Sequence, residues 1–577
     1  MTPEQVKELA RQKQAEHTNE KEEKKSKPSA ATILTEIGNE AELWHDSARI
    51  AYATVGGKTY PVRSRDFRLW LSGQYYAAKS TAPPSQSLAD ALNVLEGIAI
   101  HGREQHPVHL RIAGDQTRIV LFAADDDWNA YVIDRTGWRT TDKPPVRFRR
   151  PKAMIGLPKP VRGGNVSELR RFVNVAADAD WYLLIAWLVQ AMRPTGPYPV
   201  LALHGEQGSA KSTTARVCRS LIDPNSAPLR SSPRDERDLA IAGNNGWIVA
   251  LDNLSFVPDW LSDALCRLST GGGFSTRSLF TDSEETIFDS MRPIILTGIE
   301  DLASRGDLLE RSIIVHLPTI PPERRKTERQ FWSDFESARP RILGALLDYA
   351  AGALRTIPDV VLRTHPRMAD FAEWAVAAER GAGGNGDAFL DAYLDNQSGA
   401  NEQALESSPV APVLIDWIKS VAEWEGTAAD LLKTLTEKAG DSAKSKSWPA
   451  KPNTLSGKLR RLAPNLRRTG IDVSIGDRTG DKSRRRIITI KMTPAFHRPS
   501  SSDRPEHEEK MGDDRTIPDD QGPIADDPGR SHDSRESREI PQDRTMRTIP
   551  DDQMRPQSSR YTFEEPDIDL DAIESEA

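Results

Sequence analysis

The segment Gly205-Glu206-Gln207-Gly208-Ser209-Ala210-Lys211-Ser212 constrains this chain more than any other stretch of it. It follows the apolar run Val200-Leu-Ala-Leu-His204 and leads into residues from Lys211 onward that suit a helix. A strand, a glycine-bearing turn and a helix in that order gather consecutive backbone N–H groups and the positive end of a helix around one small volume, where an anion is stabilised. The spacing is that of a Walker A loop, in which Lys211 reaches the β- and γ-phosphates, Ser212 holds Mg²⁺ and Thr213 adds a contact. ATP and Mg²⁺ are therefore the expected cofactors, cradled by Gly205 through Thr213. Ala210 stands where the pattern usually has its last glycine, so its methyl requires that this residue keep an α-like φ.

About 40 residues on, Trp247-Ile-Val-Ala-Leu-Asp252 reads as a buried strand ending in a carboxylate. That is the Walker B arrangement, with Asp252 bridged to the metal. Asn253 follows where a carboxylate base would usually stand; its amide can orient a water without taking its proton. Strands and helices continue to alternate through DWLSDALCRLS and PIILTG, the pattern of a parallel, helix-flanked sheet.

The segment Leu268-Ser-Thr-Gly-Gly-Gly-Phe274-Ser-Thr-Arg277-Ser-Leu-Phe280 resembles the matching stretch of superfamily 3 AAA+ helicases, and the ordered motifs from 166 to 318 are similar to the helicase halves of phage and mobile-element primase-helicases. The resemblance implies a ring of identical subunits acting on DNA, with Arg277, Phe280 and the loop to Ile287 on a hairpin that grips the strand. It implies a phosphate-sensing role for Thr297, at the end of Pro293-Ile-Ile-Leu-Thr297, where the family carries Asn or a similar group. It also implies that Arg311, in Asp307-Leu-Leu-Glu-Arg311, reaches a neighbouring subunit's γ-phosphate, Arg305 being the rival candidate and a surface ion pair the plainer reading.

The rest of the chain divides around this core. At 577 residues several domains are expected. Residues 1–38 read as a disordered, charged arm, 43–164 as an α+β module ending in a basic strip, 165–318 as an α/β P-loop NTPase core of AAA+-like kind, 319–408 as a helical lid, 409–492 as a winged helix, and 493–577 as a disordered tail. In the strip, Lys143, Arg147, Arg149, Arg150, Lys152, Lys159 and Arg162 are candidates for phosphate contact. In the C-terminal module Leu455, Leu459 and Leu462 recur at helical spacing while Lys458, Arg460 and Arg461 project away, and Arg467, Arg468, Lys482, Arg484, Arg485 and Arg486 add positive charge. These groups predict a DNA-binding surface that follows the backbone rather than base sequence.

Composition excludes several classes. Two cysteines and no Cys/His cluster leave no disulfide framework and no zinc-binding primase head. The most apolar run, Trp181–Met192, is too short for the roughly 20 residues a membrane span needs, and the N-terminus has no secretory pattern; the expected location is cytoplasmic, with no membrane partner. Net charge is −8, so any nucleic-acid surface must be local. The acidic, apolar-spotted C-terminus, TFEEPDIDLDAIESEA, is a candidate docking tail for a replication protein. The residues thus imply an ATP-hydrolysing DNA helicase or translocase in replication of a phage or mobile element. A nucleotide-gated DNA-binding initiator or regulator with slow hydrolysis is the alternative, and a small-molecule kinase would explain the loop but not the basic module.

Overall fold

A computed structural model describes residues 28–272, 274–277, 285–288, 291–298, 306–445, 447–476 and 486–493. Its first helix, α1 (Ala30–Asn39), starts at Ser29, whose hydroxyl accepts from the Thr32 amide, and it buries Leu34. The expectation of a solvated arm to residue 38 is therefore corrected from residue 30 onward: Ile33, Leu34 and Ile37 recur at helical spacing and join an apolar core. The remainder of that arm and the tail from 494 lie outside the described residues.

The segment expected as an α+β module carries its strands in two successive parts. The first part is an antiparallel meander of β1 (Glu42–His45), β2 (Ala51–Val55) and β3 (Lys58–Pro61), packed with α1, α2 (Arg65–Lys79) and α3 (Ser85–Gly102) around Phe67, Leu71, Leu92 and Leu95. The second begins with β4 (Val108–His109) and contains the antiparallel sheet β5 (Ile112–Gly114), β6 (Arg118–Phe122), β7 (Ala130–Asp134) and β8 (Gly137–Thr141), followed by β9 (Arg147–Phe148), which pairs with β4. Strand β6 is buried on both faces. Ile119 and Leu121 join the main core, whereas Val120 and Phe122 face Trp128 and Phe148.

The centre is a parallel sheet. Helix α4 (Asp178–Gln190) is buried almost all round and leads to β10 (Val200–His204), α5 (Lys211–Ile222), α6 (Glu236–Asn245), β11 (Val249–Leu254) and α7 (Asp259–Thr270). An antiparallel pair, β12 (Phe274–Arg277) and β13 (Glu285–Phe288), precedes β14 (Ile294–Gly298), α8 (Gly306–Leu309) and β15 (Ser312–His316). The sheet order is β11-β14-β10-β15, all parallel, with one further parallel bridge from Arg230 to Leu251 beyond β11. Alternate residues cover both faces: Leu201, Leu203, Ile295 and Val315 meet α4 and α5, while Val200, Val249, Leu251 and Leu296 meet α6 and α7. Double coverage is what a parallel sheet requires, and it explains the unbroken apolar runs of β10 and β14.

Three helices follow, α9 (Glu328–Thr356), α10 (Ala369–Gly381) and α11 (Asp387–Glu406). A Cβ added at Gly381 would lie 2.4 Å from the backbone of Gly352, so glycine at both positions lets α9 and α10 touch main chain to main chain. Helix α9 also packs on β7 and β8, where Trp138 donates its indole N–H to Asp348 at 2.9 Å. The chain then forms α12 (Ala411–Val421), β16 (Glu423–Thr427), α13 (Ala428–Ala439), α14 (Pro452–Arg468), β17 (Ile471–Ile475) and β18 (Ile487–Met492), whose strands pair in the order β16-β18-β17. Among the described residues no helix is long and apolar enough to cross a membrane.

One buried charge network ties these layers together. Asp223, at the end of α5, accepts from the amides of Trp247 and Ile248 at 3.0 and 3.1 Å and pairs with Arg111 at 3.3 Å and Arg219 at 3.6 Å. The Arg111 side chain is fully buried and also donates to the carbonyls of Phe122 and Ile155. Burial pushes both guanidinium groups below their ordinary value and the aspartate pulls them back. Removing that carboxylate leaves two buried cations without their partner. Asp223→Asn should destabilise the protein by about 3–5 kcal/mol, measured by urea unfolding. Asp178→Asn, which breaks the exposed pair with Arg170, should cost no more than about 1 kcal/mol; equal effects would contradict the network's role.

Candidate functional site

Strand β10 ends at the centre of the sheet, and the loop Gly205–Ala210 turns there into α5. Gly205 has φ 156°, and a Cβ there would lie 2.4 Å from the Leu317 carbonyl oxygen and 2.6 Å from Ser209 Oγ. Gly208, at φ 85°, turns at the exposed tip beside Glu206 and Gln207, while Ser209 is buried beneath it. The condition placed on Ala210 is overturned: its φ is 62° and ψ 32°, the left-handed region. The loop needs that turn to bring α5 end-on to the site, and Ala210 adopts it despite its methyl. The first helical bond of α5 runs from the Thr214 amide to Ala210. The amides of Lys211, Ser212 and Thr213 therefore have no acceptor within the helix.

Two segments that sequence reasoning missed clamp this loop. Asn174 donates from Nδ2 to the carbonyls of Ser209, at 3.0 Å, and Pro318. The chain leaving β15 adds Leu317 N–H to the His204 carbonyl at 2.8 Å and Ile320 N–H to the Gly208 carbonyl at 3.2 Å. An isolated Asn before an unrelated helix carries no pattern that would have singled it out.

Lys211, Ser212, Asp252 and Thr297 converge at the carboxyl ends of β10, β11 and β14. Lys211 Nζ donates to the carbonyls of Gly205 at 2.6 Å and Glu206 at 2.8 Å. Burial pushes its ammonium below the ordinary value and the charge of Asp252 opposes this. Ser212 Oγ donates to Asp252 Oδ1 at 2.8 Å, and Thr297 Oγ1 donates to the same oxygen. Thr297 is buried and also accepts the Asn253 amide at 3.0 Å, so it positions Asp252 directly. The pairing of β11 with β14 slips between Leu251 and Leu254, and Asn253 sits in the bulge at φ 55° with an exposed side chain. Such bulges re-aim side chains; this one aims Asp252 at Ser212. A carboxylate and a hydroxyl, with two amide-rich turns nearby, fit Mg²⁺ carrying water and phosphate oxygens better than an all-protein cation cage. Among the described residues no group of three or more His, Cys, Asp or Glu is placed to hold a metal.

Other predicted residues lie apart from this cluster. Arg311, between α8 and β15, donates to the Asp307 carbonyl at 2.8 Å and pairs with that carboxylate at 3.7 Å. Arg277 ends β12 opposite Glu285 in the register. Phe280, Arg305, Lys482, Arg484 and Arg485 lie outside the described residues. On α14, Arg460 and Arg461 are exposed, and Lys458 donates to the Ser447 carbonyl at 3.0 Å.

Part of the expected positive charge in both basic stretches is paired internally. Arg467 pairs with Asp472 at 2.8 Å and Arg468 with Glu310 at 3.2 Å. Arg147 pairs with Glu42 and lies over the Trp44 ring, Arg149 donates to Asn244, Arg150 pairs with Asp126, and Arg162 lies over Trp138. Acidic, aromatic and amide partners, most of them distant in sequence, engage these guanidinium groups, while Lys143, Lys152 and Lys159 are exposed in the strip.

A family described as the actinomycete integrative conjugative element replication protein matches residues 166–398, and the AICE RepA C-terminal domain matches residues 410–506. The match is to a mobile element's replication protein. No curated protein matches. Among solved structures, the apo NrS-1 C-terminal region aligns at 12% identity over 80% of this chain and 99% of its own, with a TM-score of 0.37. A second apo structure of that region covers 81% and 100% at the same identity and TM-score. JCV helicase with a bound thiazolopyridine acetamide aligns at 13% identity over 37% of this chain and 67% of its own, with a TM-score of 0.20. All three are loose likenesses.

The left-handed backbone at Ala210 makes a direct prediction. Ala210→Gly should raise the unfolding free energy by on the order of 1 kcal/mol, because glycine adopts this conformation without steric cost. Unchanged or lower stability in urea unfolding would contradict the assignment.

Proposed function

We propose that the protein is an ATP-hydrolysing motor acting on DNA, a helicase or translocase in the replication of a mobile element. The observation that carries this reading is the 2.8 Å bond from Ser212 to Asp252, 40 residues away in sequence and beside Lys211. The match to a conjugative-element replication protein supports the setting.

In this reading Lys211 exchanges the carbonyls of Gly205 and Glu206 for β- and γ-phosphate oxygens, and the amides from Gly205 to Thr213 line the phosphates. Ser212 and Asp252 would hold Mg²⁺, which would neutralise charge developing on the phosphates. Thr297 keeps Asp252 in place, and Asn253 orients the attacking water with its exposed amide. Arg311 serves a neighbouring subunit of a homo-oligomeric ring, for which it must leave Asp307. Arg277 and Phe280 touch the strand within that ring. The segment 411–492, with three helices and a three-stranded antiparallel sheet, is read as a winged helix that tracks DNA phosphates through Lys458, Arg460, Arg461 and Arg485. The helices from 328 to 406 are read as the lid, and the acidic C-terminus as a docking tail for a replication protein.

Asn253 favours one alternative, a nucleotide-gated initiator or regulator, because it places an amide where a base would speed hydrolysis. ATP hydrolysis measured with and without single-stranded DNA separates the two. The motor predicts DNA-stimulated turnover that Lys211→Ala lowers on the order of 10²–10³-fold. Nucleotide binding without DNA-stimulated turnover, or no strand separation by the natural protein, would favour the switch. Removing Arg460 and Arg461 together should weaken DNA binding and reduce the log–log salt slope by about 1–2. An unchanged slope would remove this face from the DNA interface.

A further inference from the structure

The turn between β15 and α9 sets a second cationic group against the loop. After the 3-10 turn Pro322–Arg324, Arg325 donates from Nε to the Ile320 carbonyl at 3.2 Å. Ile320 is itself bonded through its amide to the Gly208 carbonyl, so the anchor of the guanidinium is fastened to the loop tip. The direction is fixed at the other end too: the ideal Cβ position of Gly208 lies 3.5 Å from Arg325 Nη2, making the guanidinium the nearest group that a side chain there would meet.

The rest of the fork is uncommitted. Glu328 pairs with Arg216 and Asp334 with Lys326, and among the described residues no carboxylate comes within ion-pair distance of Arg325. An exposed guanidinium with Nε tied down and Nη donors directed over a turn of amides suits a bidentate acceptor such as a phosphate. A basic side chain used only for solubility has no need of a backbone anchor on that turn.

We propose that Arg325 closes the nucleotide site in cis, its guanidinium binding the phosphates held over the loop of its own subunit. This rests on the nucleotide reading above and adds to it a phosphate contact that the Walker pattern does not contain. Lys211 approaches from the base of the loop and Arg325 from its tip, so the phosphates would be gripped from two sides by groups 114 residues apart in sequence.

The test is titration of the full chain with Mg-ATP by calorimetry. Arg325→Ala should raise the dissociation constant about 10- to 100-fold, the range of one charge-assisted bidentate contact. Arg325→Lys, which keeps charge but loses the fork, should fall between the two. Arg324→Ala, at a neighbouring exposed arginine with no contact to the loop, should bind as the natural protein does. An Arg325→Ala affinity within twofold of the natural protein overturns the proposal while leaving the nucleotide reading intact; failure of the natural protein to bind Mg-ATP brings down both. Mixing Arg325→Ala with Lys211→Ala subunits tests the cis assignment. At ATP concentrations below the weakened dissociation constant each subunit type lacks a group its own site needs, so turnover should stay low, and restoration of turnover there would place Arg325 in a neighbour's site instead.

Discussion

A single carboxylate oxygen organises the centre of this protein. Asp252 Oδ1 receives the hydroxyls of Ser212 and Thr297, so the first turn of α5 and the ends of β11 and β14 meet at one point. The parallel sheet makes this meeting possible, because parallel strands deliver all their carboxyl ends to the same edge. The bulge at Asn253 supplies the last adjustment by turning Asp252 toward Ser212. Ligand contacts built on strand ends and a helix start inherit the rigidity of the sheet, which a site assembled from free loops would lack.

That edge is supported from below. The Asp223 network closes the far end of α5 against the start of β11 and against the antiparallel sheet of residues 112–141. The N-terminal residues are therefore partly a buttress: Ile119, Leu121, Tyr131, Ile133 and Trp138 share a core with α4, α9 and α10. At the other end Arg468 reaches Glu310, next to Arg311, and Arg367 pairs with the same Glu310. The C-terminal module is thus bonded to the segment carrying the proposed finger.

Much of this was legible in the sequence wherever local pattern and tertiary environment agree. Val200–His204, Val249–Leu254 and Ile294–Gly298 are strands because double burial favours continuous apolar runs, and the residues around them read accordingly. Of the three helices after β15, Glu328–Thr356 and Ala369–Gly381 carry helical periodicity in the sequence, whereas Asp387–Glu406 has no such clear pattern. Elements with weak patterns were harder to read. Helix α2 hides its face behind Arg65, Arg68 and Lys79, although Ser64 caps it. Strand β16, Glu-Trp-Glu-Gly-Thr, is half-exposed and gains its identity only by pairing with β18. Side-chain roles set by distant partners were beyond local reading altogether. Nothing near Arg147 announces Glu42 and Trp44, nothing near Asn174 announces Ser209, and the φ of Ala210 reflects the turn that the loop must make rather than alanine's preference.

In the proposed function, Ser212 and Asp252 jointly hold the divalent ion that accompanies a bound triphosphate. This is tested most directly by measuring ATP affinity with Mg²⁺ present and with it chelated, in the natural protein and in Ser212→Ala and Asp252→Asn. Mg²⁺ should strengthen binding to the natural protein tenfold or more, and each substitution should remove this gain while leaving metal-free affinity nearly unchanged. Substituted proteins that keep the full magnesium dependence would contradict it.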